Sequence, residues 1–158
     1  MTPQGVYVAV IGPGDATADE ERDAEVVGRE LAGAGAVVLS GGLGGVMAAA
    51  CRGAQEAGGL TVGLLPGGER SAANPWVTVA IPTGMGELRN GLIARAADAL
   101  VAIGGGFGTL SEIALALRLG RPVVGLGTWD IAAPVARVHD ARAAARRALE
   151  LVTESLQS

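Results

Sequence analysis

Short runs rich in β-branched residues alternate along this chain with longer, alanine-rich stretches that have helical spacing. This alternation is typical of repeated β-α units, whose strands lie side by side in a parallel sheet. We therefore predict a three-layer α/β/α fold with a mostly parallel sheet of about six or seven strands. The runs that we assign to strands are Val6–Ile11, Ala36–Ser40, Thr61–Leu65, Val77–Ile81, Ala99–Ile103 and Pro122–Leu126.

The composition fits a layered fold. Hydrophobic residues make up 49% of the 158 residues but aromatic residues only 3%, so the core must be built from Ala, Val, Leu and Ile. The length falls within the usual size of one domain. We expect residues 1–158 to form a single nucleotide-binding domain.

Local signals mark several element boundaries. Thr17 and Glu20 have the spacing of a capping box, which predicts a helix that begins near Thr17 and ends around Gly33 and Gly35. A second helix is expected over about 46–57. The segment 66–75 has the composition of an irregular loop. An amphipathic helix is expected from about Arg137 to Leu156.

The charge and the cysteine content exclude several classes of function. A net charge of -4 and a pI near 5.0 give no general attraction for nucleic acids or anionic membranes. The apolar run Val6–Ile11 is too short to span a bilayer and lacks the basic flank of a signal peptide, so we expect a cytoplasmic protein. Cys51 is the only cysteine, and we expect it in the core, with no disulfide and no metal site.

All 12 cationic residues counted as Lys or Arg are arginine. A P-loop needs a lysine on the phosphates, and pyridoxal-phosphate enzymes need a lysine for the Schiff base. The missing lysine therefore excludes both classes.

Four glycine-rich turns follow predicted strands, at the sheet edge where ligands of open parallel sheets bind. Glycine lets the backbone approach a ligand closely, and the following helix directs unpaired N–H groups and a partial positive charge toward it. We therefore predict an anion site for a phosphate group. The turns are GPGDAT (12–17), SGGLGGVM (40–47), TGMGELRN (83–90) and GGGFGTLSE (104–112), and the predicted ligand contacts are Gly12, Gly14, Gly41, Gly42, Gly44, Gly45, Met85, Gly104, Gly105, Gly106, Gly108 and Thr109.

Two charged residues in these turns have both a structural and a functional interpretation. Glu112 follows Thr109 at the spacing of a capping box, yet a carboxylate there can also contact a ribose hydroxyl or stabilise an oxocarbenium ion. Arg89 offers a planar fork to a phosphate or a ribose. NAD is disfavoured, because no turn reads GxGxxG and the second strand ends in Ser40 and Gly41 instead of an acid.

The SGGLGGVM, GMGELRN and GGGFGTLSE segments, in this order and spacing, resemble the LOG-like family of Rossmann-type proteins over roughly residues 6–129. That family includes cytokinin-activating phosphoribohydrolases, molybdenum cofactor carrier proteins and members mislabelled "lysine decarboxylase". In the hydrolases, an arginine and a glutamate act in cleaving the N-glycosidic bond. The resemblance implies those catalytic roles for Arg89 and Glu112, with phosphate held by Gly105, Gly106, Gly108 and Thr109.

The sequence departs from the hydrolase pattern twice, because Gly104 replaces a proline and Asn90 replaces a lysine. The RN pair, the GGG opening and the short chain are more similar to the carrier-like branch. The first hypothesis is thus a carrier for a phosphorylated nucleotide-like ligand, with molybdenum cofactor, a phosphorylated pterin, as the leading candidate. The alternatives are a phosphoribohydrolase of nucleoside 5′-monophosphates, which needs no cofactor, and a nucleotide-sensing module.

Two further expectations concern a lone histidine and the assembly. His139 is expected to have a capping or surface role and not to act as a general base. A mean hydropathy of +0.40 and the Ala- and Leu-rich helices predict apolar surface that a partner subunit covers. The family resemblance implies a homodimer or a higher homo-oligomer.

Overall fold

The computed structural model describes residues 5–158 and contains there one seven-stranded sheet in which every neighbouring pair of strands is parallel. The alternation of strands and helices gives the arrangement predicted from the sequence, and the prediction of a three-layer, Rossmann-like α/β/α fold is confirmed. The strands, in chain order, are β1 Tyr7–Ile11, β2 Val37–Ser40, β3 Thr61–Leu65, β4 Val79–Pro82, β5 Ala99–Ile103, β6 Val123–Leu126 and β7 Val135–Val138.

Helices cover both faces of the sheet, with one hydrophobic core on each side. One core lies beneath α1, α2 and α5, and the other lies beneath α3 and α4. Both cores consist mainly of Val, Ala, Leu and Ile, as the low aromatic content predicts. The helices in this part of the chain are α1 Ala18–Gly33, α2 Val46–Glu56, α3 Arg89–Ala96, α4 Phe107–Arg118 and α5 Ala141–Leu156.

The C-terminal region differs from the sequence-based prediction. Residues 135–138 form β7 instead of the start of the last helix, which begins at Ala141. Pro134 precedes this strand, and Val135 pairs with Val123 of β6. The Asp140 side chain accepts a hydrogen bond from the Ala143 N–H at 2.8 Å and so caps α5. The prediction placed the helix start too early because it followed the amphipathic spacing and missed this cap.

The N-terminal end of α1 agrees with the prediction. The Thr17 Oγ1 accepts a hydrogen bond from the Glu20 N–H at 3.2 Å, and the Glu20 carboxylate accepts one from the Thr17 N–H at 2.9 Å. This reciprocal pair is the capping box. The 66–75 loop is irregular apart from a short 3₁₀ helix, Arg70–Ala72. No helix between residues 5 and 158 combines the length and apolar character needed to cross a membrane.

The strand order β4-β3-β2-β1-β5-β6-β7 places the reversal of strand order at β1. From β1 the chain proceeds to β2 on one side, and it later returns to β5 on the other. The turns after these strands therefore diverge and leave a crevice at the carboxyl ends, where ligands bind in open α/β sheets. A second short 3₁₀ helix, Gly86–Leu88, leads directly into α3 beside this crevice.

Candidate functional site

A cavity of about 320 Å³ lies in the crevice between the turns that follow β1, β2 and β5 and the starts of α3 and α4. Its volume falls within the range of small-molecule sites. Eight of the residues predicted to act at a site line this cavity: Gly12, Gly14, Gly41, Arg89, Gly106, Gly108, Thr109 and Glu112. Residues separated by about 100 positions in the chain are thus brought together at one edge of the sheet.

Arg89 is the cation of this pocket, and it is 8% exposed. Its Nε donates to the Leu64 carbonyl at 2.8 Å, and its Nη2 donates to the Gly41 carbonyl at 3.4 Å. These bonds join the first residue of α3 to the carboxyl ends of β3 and β2. Burial lowers the pKa of the Arg89 guanidinium, and the nearby Glu112 carboxylate acts in the opposite direction. An arginine stays protonated despite such a shift, so the pocket retains a fixed positive charge.

Asn90 orients this arginine. Its Oδ1 accepts a hydrogen bond from Arg89 Nη1, and its Nδ2 donates to the Ser111 Oγ at 3.2 Å. Ser111 in turn donates to the Gly108 carbonyl at 2.7 Å. A chain of hydrogen bonds therefore connects Arg89 to the first turn of α4, which contains two predicted phosphate contacts.

Glu112 lies on α4, is 7% exposed and lines the pocket. Burial raises its pKa to about 7, while the Arg89 charge acts to lower it. Among residues 5–158, no side chain lies close enough to Glu112 for an ion pair, and none donates a hydrogen bond to it. The carboxyl group is therefore desolvated beside a cation without being neutralised by direct contact.

The capping-box interpretation of Thr109 and Glu112 is wrong. The helix α4 begins two residues before Thr109, at Phe107, with Gly106 as its N-cap and no side-chain cap. Thr109 is 3% exposed and lies inside the first turn, three residues before Glu112. Residues three apart share one face of a helix, so both side chains face the pocket.

The first turn of α4 supplies backbone donors to the same pocket. The first N–H groups of a helix have no partner within the helix, and the helix dipole adds a partial positive charge there. Gly106 and Gly108 line the cavity with no side chain that would screen these groups. The first turn of α4 and Arg89 together form a region that favours an anion.

The cavity lining does not include six of the predicted ligand contacts: Gly42, Gly44, Gly45, Met85, Gly104 and Gly105. Several of these glycines have packing roles. Gly42, Gly45 and Gly104 have positive φ angles, which favour glycine. A Cβ on Gly105 would lie 2.8 Å from the Trp129 Nε1. Met85 is 43% exposed and precedes the 3₁₀ helix 86–88.

Five lining residues were absent from the predicted site: Val10, Ile11, Pro13, Met47 and Asn90. The hydrolase pattern has a lysine at the position of Asn90, and the contact of Asn90 with Arg89 follows from their adjacency at the start of α3. Met47 is the last residue of the second glycine-rich turn, and its sulfur lies 2.8 Å from where a Gly41 Cβ would be. The sequence signal for Met47 and Asn90 was their position inside the second and third glycine-rich turns, 40–47 and 83–90.

Other residues considered in the sequence lie away from the pocket. His139 is exposed and precedes the Asp140 cap of α5. Cys51 is fully buried, burial raises its pKa, and its sulfur lies 3.5 Å from the Ser40 Oγ. Within the described residues, no group of three His, Cys, Asp or Glu side chains is arranged to hold a metal ion.

Comparison with known proteins agrees with this architecture. Residues 5–154 match the model of the SLOG cluster4 family. An uncharacterized protein of Archaeoglobus fulgidus is 44% identical over 121 residues, which are 77% of this chain and 80% of that protein.

Two solved structures with the same fold are described as molybdenum cofactor proteins. The molybdenum cofactor binding protein of Rippkaea orientalis is 32% identical, with a TM-score of 0.87 and coverage of 98% of this chain and 99% of that one. The molybdenum cofactor carrier protein of Chlamydomonas reinhardtii is 34% identical, with a TM-score of 0.87 and coverage of 95% and 99%. The resemblance inferred from the three glycine-rich segments is thereby confirmed.

Proposed function

This chain belongs to the SLOG cluster4 family, and from that membership and the geometry of its pocket we propose that it binds a phosphorylated, nucleotide-like small molecule as a carrier. The leading ligand is molybdenum cofactor. The observation that carries the proposal is the buried Arg89 beside the glycine-rich first turn of α4.

The chemistry of the pocket supports a phosphate ester. A guanidinium presents several N–H donors in a planar fork that matches phosphate oxygens. Arg89 is already held by the Leu64 and Gly41 carbonyls, so little side-chain entropy is lost when an anion binds. The phosphate would lie between this guanidinium and the N–H groups near Gly106 and Gly108.

The named relatives favour the carrier over the hydrolase. Two structures at 32% and 34% identity are described as molybdenum cofactor binding or carrier proteins and align over nearly the whole of this chain. Asn90, where the hydrolase pattern has a lysine, reduces the positive charge and instead orients Arg89. Binding without turnover is consistent with that exchange.

Glu112 supports a second candidate function, hydrolysis of a nucleoside 5′-monophosphate to base and ribose 5-phosphate. A carboxyl group with a pKa near 7 can act as a general acid at neutral pH. In its charged form it can stabilise an oxocarbenium-like transition state. Arg89 and Glu112 line one cavity, so both residues required by the family resemblance are present.

One experiment separates the two functions. Purified protein is incubated with a panel of nucleoside 5′-monophosphates and assayed for released base, and molybdenum cofactor and the same nucleotides are titrated by calorimetry. The carrier proposal expects tight binding of the cofactor and no release of base. Release of base that is abolished by Arg89→Ala would instead establish the hydrolase.

Arg95→Ala is the matched control, because Arg95 is exposed in the last turn of the same helix. It should bind ligand like the unsubstituted protein, whereas Arg89→Ala should weaken binding by about tenfold or more. Equal binding by both variants, or binding of neither the cofactor nor any nucleotide by the unsubstituted protein, would contradict the phosphate site.

A further inference from the structure

Two of the four aromatic residues form a pair beside the pocket. The Phe107 side chain is 83% exposed at the first residue of α4. Its ring centroid lies 5.8 Å from that of Trp129, with an angle of 33° between the ring planes. This separation is within the range of interacting aromatic pairs. Phe107 therefore presents most of its ring to solvent while Trp129 supports it from one side.

Trp129 is held rigidly in this position. Its Nε1 donates to the Gly106 carbonyl at 3.0 Å, and its own carbonyl accepts a hydrogen bond from Arg137 Nη2 at 2.9 Å. Gly105 has no side chain, and a Cβ there would lie within 2.9 Å of the indole. The absence of a side chain at Gly105 is thus what allows Trp129 to pack against the turn after β5.

The pair is directly connected to the proposed anion site. Phe107 lies in the chain between Gly106 and Gly108, both of which line the cavity. The Trp129 side chain donates a hydrogen bond to the Gly106 carbonyl. Among the described residues that line the cavity there is no aromatic side chain, so the lining itself offers no aromatic ring for stacking. A phosphate bound at Gly106 would therefore lie one residue from Phe107.

The other two aromatic residues lie elsewhere. Tyr7 is the first residue of β1, at the edge of the sheet opposite the pocket. The Trp76 carbonyl accepts a hydrogen bond from Thr61, the first residue of β3. The centroid of the Trp76 ring lies 5.5 Å from the Arg52 guanidinium carbon. Of the four aromatics, only Phe107 and Trp129 are at the carboxyl end of the strands.

We propose that Phe107, supported by Trp129, forms a platform on which the planar heterocycle of the ligand stacks. The inference rests on the proposed function and narrows the ligand class to phosphate esters that carry a flat, fused ring system, such as a purine or a pterin. Ring stacking on an aromatic side chain tolerates different heterocycles, because each presents a π face. Phosphorylated sugars without a ring of this kind would gain nothing from the platform.

Calorimetric titration with two probes tests the platform. Guanosine 5′-monophosphate carries both phosphate and purine, whereas ribose 5-phosphate carries the phosphate and sugar alone. Phe107→Ala should weaken binding of the nucleotide by about tenfold, the effect expected for loss of one stacked ring, and should leave ribose 5-phosphate binding unchanged. Phe107→Tyr, which keeps the ring, should restore nucleotide binding.

Leu156→Ala is the matched control, because Leu156 is an apolar residue of similar exposure, 82%, at the far end of α5. It should change neither titration. If Phe107→Ala binds the nucleotide as well as the unsubstituted protein does, the platform is wrong and the phosphate site stands. If the unsubstituted protein binds neither probe, the platform for a purine is wrong, and the proposed function fails as well only if molybdenum cofactor and the other nucleotides are not bound either.

Discussion

At the scale of single residues, the electrostatics of the pocket depend on a carboxyl group and a guanidinium that are buried together without direct contact. Glu112 is desolvated by burial, and the effect of burial on its pKa outweighs the attraction of Arg89. The pocket therefore changes charge near neutral pH. With Glu112 protonated, Arg89 and the start of α4 face an incoming anion without opposition.

This raised pKa predicts a pH-dependent stability. Between its usual value of 4.5 and about 7, Glu112 holds a proton in the folded protein that the unfolded chain releases. The free energy of unfolding must therefore fall as the pH rises through that interval. Glu112→Gln should remove this fall. Between about pH 5 and about pH 8, the free energy of unfolding of the variant should therefore rise by up to about 3 kcal/mol relative to that of the unsubstituted protein.

Urea unfolding at the two pH values measures this difference. Glu87→Gln is the control, because Glu87 is an exposed carboxylate in the 3₁₀ helix before α3. It should keep the pH dependence of the unsubstituted protein. If the free energy of unfolding of Glu112→Gln depends on pH in the same way as that of the unsubstituted protein does, the Glu112 carboxyl group titrates in the folded protein as it does in the unfolded chain.

Gly41 is predicted to be essential for ligand binding but not for folding. Its φ angle is not positive, and a Cβ there would lie 2.5 Å from Arg89 Nη2 and 2.8 Å from the Met47 sulfur. Both atoms belong to side chains, so the collision is relieved when the Arg89 guanidinium moves away from the carbonyls that hold it. Gly41→Ala should therefore shift Arg89 and weaken phosphate-ester binding by about tenfold, with a loss of stability of about 1–3 kcal/mol.

Calorimetric titration and urea unfolding of the same preparation check both parts of this prediction. Gly67→Ala is a suitable control, since Gly67 is an exposed glycine in the loop after β3 and a Cβ there would meet no atom within 4 Å. Normal affinity in Gly41→Ala would mean that the position of the Arg89 guanidinium does not govern binding.

At the scale of elements, two glycines set the distance between α1 and α2. A Cβ on Gly28 would collide with the Ala50 carbonyl, and a Cβ on Gly53 would collide with the Glu25 carbonyl. These obstacles are backbone atoms of the facing helix, so only a separation of the helices can relieve the collision. The helix α2 begins at Val46, within the second glycine-rich turn, so this packing also helps to position one wall of the pocket.

Gly53→Ala should lower the free energy of unfolding by about 3 kcal/mol, because overpacking outweighs the better helix propensity of alanine. Chemical denaturation measures the change. Gly33→Ala, at the last residue of α1, meets no atom within 4 Å and should cause no loss. Equal stability of the two variants would mean that α1 and α2 can separate freely.

At the scale of the whole molecule, the face that carries α3 and α4 leaves apolar side chains exposed at one edge. Val79 and Ile81 pair in register with Val62 and Leu64, which belong to the core on that face. Neither β4 residue is covered, and their exposures are 42% and 43%. Leu88 and Leu92 add exposures of 76% and 37% at the neighbouring helix. The patch is of the kind that a second subunit covers.

We expect the protein to form a homo-oligomer through this patch. Light scattering should give a mass above that of one chain, and Ile81→Glu should reduce it, because a buried unpaired carboxylate is costly at an interface. Leu156→Glu, at an exposed leucine outside the patch, should leave the mass unchanged. A monomeric mass for the unsubstituted protein would contradict this expectation.

Much of the fold and part of the site could be predicted from local patterns. The alternation of strands and helices, the Thr17 capping box and the glycine-rich turns depend on residues near one another in sequence. The same local reasoning failed at residues 135–138, where helical spacing concealed a strand that pairs with β6. It also failed at Thr109, because the start of α4 is set by the turn after β5 and not by a side-chain cap.

The sequence by itself determined a parallel α/β sheet with glycines, Arg89 and Glu112 at the carboxyl ends of its strands, because periodicity and turn chemistry are local properties. Only the tertiary structure decided which glycines face the pocket. Gly41 lines the pocket and Gly42 does not. The strand order brings Arg89, 48 positions away in the chain, to Gly41, whereas it packs Leu65 against Gly42. The shifted pKa of Glu112 has the same origin, because desolvation depends on what surrounds a side chain and not on its neighbours in the chain.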